Sequence, residues 1–218
     1  MQVTLLSYTP EPEKAIALAA RVCYSKTPPR DISLERARAL IRGLFARGHE
    51  SVLEHASFSF LIEGISRVAS HQLVRHRLAS YAQQSQRYVD VRNAKFVCPP
   101  SIVAHPRAKI VFDEVIAQAQ RAYEELCGLG IPREDARYVL PQGVETNLVI
   151  SLNARELLHI FRLRLCRRAQ WEIREVVLRM LEEIRKVAPS IAELAGPPCK
   201  FGPCPEGEKS CGKPWGTL

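Results

Sequence analysis

The order of apolar and polar positions predicts amphipathic helices interrupted by a few short strands. Residues 56–64 alternate phenylalanine or isoleucine with serine or leucine, a period of two that is typical of a strand, and Gly64 is predicted to end it. Residues 2–8 and 144–152 are predicted as two further strands. The strands are too few and too scattered for regular strand–helix–strand alternation.

Apolar residues at helical spacing account for most of the remaining chain. Ser33 and Asn153 are predicted to cap two of the helices, and Glu156 completes an Asn-x-x-Glu capping arrangement. The stretch QLVRHRLASYAQQSQRYV, residues 72–89, is predicted to leave a helix end and continue as a loop. The predicted helices cover residues 10–25, 34–47, 65–76, 107–128, 131–140 and 154–191.

This pattern predicts an α+β fold, with helices packed around a small mixed or antiparallel sheet. The chain contains neither GxGxxG nor GxxxxGK[ST], so a Rossmann fold or a P-loop is not expected. Residues 1–195 are predicted to form a single domain. Residues 196–218, rich in cysteine, proline and glycine, are predicted to be an irregular tail.

Length and composition are those of an ordinary globular protein. The chain has 218 residues, of which 46% are hydrophobic and 25% charged. No apolar run approaches the roughly 18–20 residues needed to span a membrane, and the first residues lack the basic segment of a signal peptide. We therefore expect a cytoplasmic protein without a membrane partner.

The net charge of +8 comes mainly from arginine, with 23 Arg against 8 Lys. Arginine is the planar donor suited to phosphate and carboxylate, so this excess suggests anionic ligands. A general composition bias of the source explains the excess equally well.

Seven cysteines are an odd number, which argues against a secreted disulfide scaffold. The tail spacing Cys-x4-Cys-x6-Cys, from Cys199 to Cys211, lacks a local fourth ligand for zinc, and a disulfide or free thiols are the alternatives. The segment GHESVLEH carries histidine and glutamate, but it reads as a turn and not as a helix face that could hold a metal. No metal is expected.

The stretch at residues 72–89 is the strongest candidate for chemistry. At a helix end, Arg75 and Arg77 can converge on one anion, and His76 between two cations is predicted to stay neutral. Ser85 and Arg87, two apart in an extended chain, would project to one side and form a phosphate grip. The alternative is a solvated basic loop.

A second cationic patch lies on the helix that follows Asn153. Pairing with Glu172 or Glu175 one or two turns later would account for Arg168. It would not account for Arg164, which has apolar neighbours.

These motifs resemble those of flavin-dependent thymidylate synthases. The spacing RHR-x7-S-x-R is similar to the signature of that family, and four further blocks occur in the expected order over roughly residues 45–185. The blocks are GHESVLEH, DARYVLP, NAREL and FRLR…AQWEIR.

The resemblance implies a homotetrameric α+β methyltransferase that binds FAD, with sites at subunit interfaces. It would convert dUMP to dTMP, with 5,10-methylenetetrahydrofolate as the carbon donor and NADPH as the hydride source, and would release tetrahydrofolate. The family needs no covalent cysteine of the other thymidylate synthase kind, and no cysteine here lies in an activating sequence context.

The resemblance also implies roles for individual residues. Arg164 would be catalytic, set against the uracil ring, and Arg137 would reach the dUMP phosphate from a neighbouring subunit. The dUMP contacts implied are Gln72, Arg75, Gln83, Gln84, Ser85, Arg87, Arg137 and Arg164. The FAD contacts implied are Ser51, Arg75, His76, Arg77, Gln83, Asn153, Arg155 and His159.

One position departs from the pattern, because Gln83 stands where the family commonly has glutamate. We expect Gln83 to act through hydrogen bonds. The rival hypotheses are a basic nucleic-acid-binding protein without catalysis and a nucleotide-binding protein that has lost catalysis. The ordered family blocks argue against the first and the presence of Arg164 against the second.

Overall fold

A computed structural model describes residues 1–27 and 29–216. The strands are β1 Gln2–Tyr8, β2 Ser57–Ser66, β3 Ala79–Gln83 and β4 Glu145–Asn153. The helices are α1 Pro12–Val22, α2 Leu34–Ala46, α3 Arg67–Leu73, α4 Pro100–Val103, α5 Pro106–Gly128, α6 Arg133–Ala136, α7 Ala154–Arg164, α8 Trp171–Val187 and α9 Pro189–Leu194. Short 3-10 turns cover Ser51–His55, Arg137–Val139, Pro198–Lys200 and Gly207–Lys209.

The four strands form one sheet in the order β1-β2-β4-β3, and every neighbouring pair is antiparallel. The predicted α+β fold without a Rossmann unit is confirmed. On β2 the alternation places Phe58, Phe60 and Ile62 in the core, since all three are fully buried. β4 alternates in the same way and buries Leu148, Ile150 and Leu152.

The prediction that Gly64 ends β2 is wrong, because the strand continues to Ser66. Gly64 has φ +65° and lies where the pairing with β4 shifts register, between Ile62 and Ile65. Its N–H donates to the Asn147 side chain at 3.0 Å. A glycine here bends the strand in a bulge, since glycine readily adopts positive φ.

β3 was not predicted, since its residues lie in the stretch that the sequence assigns to a loop. Its segment, Ala79–Gln83, pairs along its whole length with β4, from Leu152 to Leu148. The strand is short and at the sheet edge, and alanine and glutamine have weak strand propensity. Pairing with β4 therefore decides its conformation.

The main core lies between the sheet and the helices α7, α8 and α9. α8 has the largest buried face, including Ile173, Val176, Val177 and Met180. Ala37 and Ile41 are buried on α2, which packs against α1.

Several helix ends differ from the prediction. The helix predicted over 65–76 covers only α3, and the connection near residue 100 contains the short α4. The helix predicted over 154–191 is three helices. Gln170 starts the second, α8, by accepting from the N–H groups of Glu172 and Ile173, both at 3.0 Å. The third, α9, begins at Pro189.

The two predicted caps are present, since Ser33 accepts from the N–H of Arg36 and Asn153 from that of Glu156. Beyond α9 the described tail has only two 3-10 turns, and its Trp215 packs against the main core. Across residues 1–27 and 29–216, no helix is both long and apolar enough to cross a membrane.

Candidate active site

The Arg-His-Arg step at residues 75–77 lies in the turn between α3 and β3. The Tyr81 hydroxyl on β3 lies 2.8 Å from the carbonyl oxygen of Leu73 and 3.0 Å from that of His76, as a shared donor. Burial raises the pKa of Tyr81, so the hydroxyl keeps its proton. These bonds hold His76 at 5% exposure, whereas its two arginine neighbours face solvent.

His76 lies between an arginine and a carboxylate. Its Nε2 accepts from Arg164 Nε at 3.1 Å, and its Nδ1 lies 3.6 Å from Glu156 Oε1. Because Nε2 accepts, the proton of the neutral ring belongs on Nδ1, facing Glu156. The His159 ring meets His76 edge-on, with 5.8 Å between the ring centroids.

The surroundings favour the uncharged forms of both His76 and Glu156. Burial, then the charge of Arg164, then His159 lower the pKa of His76 to about 4. Burial raises the pKa of Glu156, with His159 acting in the opposite direction. A neutral His76 agrees with the prediction, but the main cause is burial, and the cation responsible is Arg164, not the flanking arginines.

Arg164 is half-buried and makes no ion pair with any described carboxylate. Its Nη2 donates to the carbonyl oxygen of Gln72 at 3.2 Å, at the end of α3. Burial, followed by the charge of Arg75, lowers the pKa of Arg164. α3 and α7 thus hold a guanidinium whose remaining donors are free for a ligand.

The alternative in which Arg168 pairs with Glu172 or Glu175 does not hold. Arg168 pairs with Glu206 in the tail, and Glu175 pairs with Arg179 at 2.8 Å. Glu172 is buried and bonds instead to Ser66, at the start of α3.

Glu172 holds the start of α3. Its carboxylate accepts from the N–H of Ser66 at 2.6 Å and from the Ser66 hydroxyl at 2.5 Å. The Ser66 oxygen in turn accepts from the N–H of Ala69 as the helix cap. The position of Gln72 near the end of α3 therefore depends on a carboxylate from α8.

Gln83 is held by two hydroxyl groups. Its side-chain N–H2 donates to Ser70 Oγ at 3.0 Å and to Thr146 Oγ1 at 3.2 Å. The Ser70 hydroxyl donates to the carbonyl oxygen of Arg67 at 3.1 Å. Gln83 acts as a hydrogen-bond donor that joins α3 to β4.

The prediction that Ser85 and Arg87 lie in an extended segment is wrong. The Ser85 oxygen accepts from the N–H of Arg87 at 3.2 Å, so the two form a turn. Arg87 also has a carboxylate partner, since its Nε lies 2.6 Å from Glu134. Arg137 Nε donates to the carbonyl oxygen of Glu134 at 3.0 Å, which brings Arg87 and Arg137 to one segment.

Arg67 is a candidate that the sequence reasoning missed. Its Nη2 donates to the carbonyl oxygen of Gln84 at 3.0 Å, while its buried Nε has no partner in the described part of the chain. Burial and the charge of Arg137 lower the pKa of Arg67. The available signal was weak, because a basic residue in the first turn of a helix usually faces solvent.

An apolar cavity of about 660 Å³ adjoins the cluster of His76, Glu156 and His159. Leu78, Arg155, Glu156 and His159 are among the residues that line it. Arg155 is paired with Glu54 at 2.6 Å and with Glu50 at 4.0 Å. A larger, polar cavity of about 1140 Å³ is lined by Gln84 and, on β4, by Glu145, Thr146 and Asn147.

The remaining expected residues differ in their surroundings. Ser51 begins a 3-10 turn beside α7, and the side-chain oxygen of Asn153 caps α7. Arg75, Arg77 and Ser51 have no side-chain hydrogen bond or ion pair to any residue that the structure describes. Their polar groups therefore have no competing partner among these residues.

The cysteines are free thiols. All seven lie in the described residues without a disulfide, and Cys166, Cys199, Cys204 and Cys211 line a small cavity of about 150 Å³. Within the described ranges, no three or more His, Cys, Asp or Glu side chains are grouped so as to hold a metal ion.

The fold and site define a class of protein: an α+β chain whose sheet edge and two helices present unpaired arginines beside an apolar cavity. Such a site suits anionic ligands with a planar ring. Comparison with known proteins identifies the family of the chain. The family described as "Thymidylate synthase complementing protein" matches residues 4–190.

Curated relatives carry a consistent name. The chain is similar to "Flavin-dependent thymidylate synthase" of Geobacter sulfurreducens, 51% identical over 98% of this chain and 94% of the relative. It is 44% identical to the protein of that name from Clostridium tetani, over 98% and 94%, and 46% identical to that from Pyrococcus furiosus, over 94% and 90%. The chain belongs to the thymidylate synthase complementing protein family.

Proposed function

We propose that the protein is a flavin-dependent thymidylate synthase that converts dUMP to dTMP. 5,10-Methylenetetrahydrofolate supplies the carbon, NADPH the hydride, and tetrahydrofolate and NADP+ leave with dTMP. The observation that carries the proposal is Arg164, a half-buried guanidinium held by His76 and by the Gln72 carbonyl without a carboxylate. The family membership and the names of the relatives support it.

In this proposal Arg164 is the catalytic residue. A guanidinium has five N–H donors, and two of those of Arg164 are used on His76 and Gln72. Those that remain can face the N3 edge and the adjacent carbonyl of uracil and stabilise an enolate-like ring. Electron density then moves to C5, which forms a bond to the methylene carbon as the bond from that carbon to the folate nitrogen breaks. C5 then gives up its proton, and the hydride that originates from NADPH completes the methyl group. Arg164 keeps its charge throughout and takes up no proton.

The dUMP phosphate is assigned to the turn after β3. Ser85 and Arg87 form this turn, and the carboxylate of Glu134 now pairs with Arg87 where the phosphate would bind. We propose that Arg137 serves the site of a neighbouring subunit. The remaining proposed dUMP contacts are Gln72, Arg75, Gln83 and Gln84.

The residues around the apolar cavity fit FAD. Arg155 lines the cavity and would exchange its carboxylate partners Glu54 and Glu50 for the diphosphate. The cavity of about 660 Å³ has the size of known ligand pockets. When bound, FAD supplies the redox chemistry that links NADPH to the one-carbon unit. The proposed FAD contacts are Ser51, Arg75, His76, Arg77, Gln83, Asn153, Arg155 and His159.

We propose a cytoplasmic homotetramer with sites shared between subunits, and neither nucleic acid nor a membrane as partner. The outer face of α5 supports the assembly, because Ile110, Val111 and Val115 are each more than half exposed. Contiguous exposed apolar side chains of this kind are typical of subunit interfaces.

The test is the absorbance spectrum of the purified protein with and without dUMP. We expect a yellow protein with flavin bands that oxidises NADPH faster when dUMP is present, and that forms dTMP once methylenetetrahydrofolate is added. A colourless protein that cannot be reconstituted with FAD would contradict the proposal.

A further inference from the structure

We propose that the C-terminal segment 196–202 forms the outer wall of the flavin pocket, and that Phe201 is a positioning residue that contacts a planar ring of bound FAD. The inference rests on the proposed function and adds a part of the chain to it. The family match ends at residue 190, so this wall lies beyond the region that the match covers.

Two aromatic side chains from distant parts of the chain meet in the lining of the cavity. Phe45, at the end of α2, and Phe201 have ring centroids 6.2 Å apart at 54°. Both line the cavity of about 660 Å³ that also contains Arg155 and His159. Phe201 is nevertheless 55% exposed, so much of its ring surface is open to a ligand.

The segment that carries Phe201 is fixed to the body of the protein. Lys200 Nζ donates to the carbonyl oxygens of Glu193 at 2.5 Å and Ala195 at 2.7 Å, at the end of α9. Gly196 has φ +152°, and a Cβ there would come within 2.5 Å of the Lys200 side chain. The positive φ and the close approach together favour glycine at this position.

The chemistry of the wall matches a planar heterocycle. Aromatic rings attract one another at centroid separations of about 4.5–7 Å, in tilted or offset arrangements. The Lys200 ammonium lies 5.1 Å from the Phe201 centroid, which holds this ring from the side of α9. FAD carries two planar ring systems, and its diphosphate would extend towards Arg155.

The test is titration of the apoprotein with FAD, followed by quenching of flavin fluorescence and by the visible spectrum. We expect Phe201→Ala to weaken FAD binding about tenfold and to shift the flavin band, the equivalent of roughly 1.4 kcal/mol. Phe201→Tyr should restore binding. Tyr24→Ala is the matched control, since Tyr24 is an exposed aromatic residue that does not line the cavity.

A second variant tests the position of segment 196–202 without removing the Phe201 side chain. Gly196→Ala displaces Lys200 and should weaken FAD binding with Phe201 still present. Wild-type FAD affinity and spectrum in Phe201→Ala would overturn the inference, as would an effect limited to KM for folate or NADPH. If the wild-type protein takes up no FAD at all, the proposed function fails first, which is a distinguishable result.

Discussion

Arg164 on α7 donates to His76 in the turn after α3, with 3.1 Å between Nε and Nε2. The contact requires an unprotonated Nε2, because two cationic donors cannot share a hydrogen bond. The two side chains are 88 positions apart in the sequence. This contact fixes the tautomer of His76 and, together with the bond from Arg164 to the Gln72 carbonyl, the orientation of the guanidinium.

The burial of His76, together with the neighbouring charge of Arg164, predicts a loss of stability in mild acid. The folded-state pKa of His76, about 4, lies below its ordinary value of 6.5, so the unfolded chain binds more protons between these values. The free energy of unfolding should therefore fall as the pH drops from 6.5 towards 4, by on the order of 3 kcal/mol. Glu156 acts in the opposite sense, because its raised pKa stabilises the fold at low pH and that contribution is lost as the pH rises.

Urea unfolding at a series of pH values measures this effect. His76→Gln, whose amide oxygen can still accept from Arg164, should flatten the dependence, and the exposed His49→Gln should not. In Arg164→Ala, NMR titration should show a higher pKa for His76, though still below 6.5, because burial is the larger cause. An unchanged dependence in His76→Gln would contradict the assignment.

Arg164→Ala should lower kcat by about 100- to 1,000-fold with FAD still bound, since it removes the donor set against the developing negative charge. Lysine at this position should not restore the rate, because it offers a point charge without the planar fork. Stopped-flow measurement of dTMP formation and the flavin spectrum report the two quantities. The matched control is Arg36→Ala, on the exposed face of α2. Near-normal turnover in Arg164→Ala would refute the role.

Much of the fold was predictable where one local rule dominates. The strand at β2 and the Ser33 and Asn153 caps follow from period-two alternation and from side-chain capping, which short-range sequence determines. β3 could not be predicted in this way, because the edge strand exists through pairing with β4. Gly64 misled the prediction because glycine permits both a strand end and a bulge.

The candidate site was predictable in composition and less so in its connections. Motif spacing brought forward His76 and Arg164 as residues, but nothing local indicated that they touch. The Arg87–Glu134 pair and the half-buried Arg67 arise from packing of segments far apart in sequence. Tertiary partners of this kind decide charge pairing, and a single sequence does not contain them.

Arg87→Ala should weaken dUMP binding about 10- to 100-fold, the range for losing one charged hydrogen bond. Binding of deoxyuridine, which lacks the phosphate, should be unaffected. Glu134→Gln removes the carboxylate that pairs with Arg87 at 2.6 Å, so dUMP should bind at least as tightly. Calorimetric titration with both ligands measures these affinities. Equal loss for dUMP and deoxyuridine in Arg87→Ala would argue against a phosphate contact.

Glu172→Ala should destabilise the protein by about 3 kcal/mol, because the buried N–H and hydroxyl of Ser66 lose their acceptor. It should also raise KM for dUMP, since α3 carries Gln72. Glu175→Ala is the control on the same helix, because its exposed pair with Arg179 contributes about 1 kcal/mol or less. Thermal and urea unfolding compare the two variants. Equal stability of both would contradict the proposed support of α3.

Gln83→Glu tests whether the site needs a charge where the family commonly has one. The Gln83 amide donates to Ser70 and Thr146, whereas an ionised glutamate can only accept. The Ser70 hydroxyl already donates to the Arg67 carbonyl, which leaves only Thr146 free to donate in return. We expect a loss of about 1 kcal/mol in stability at pH 7, smaller in acid where the carboxyl regains a proton, and a kcat within a few-fold of wild type. Steady-state kinetics and urea unfolding measure both, and a tenfold rise in kcat would mean that the reaction needs the carboxylate that this chain lacks.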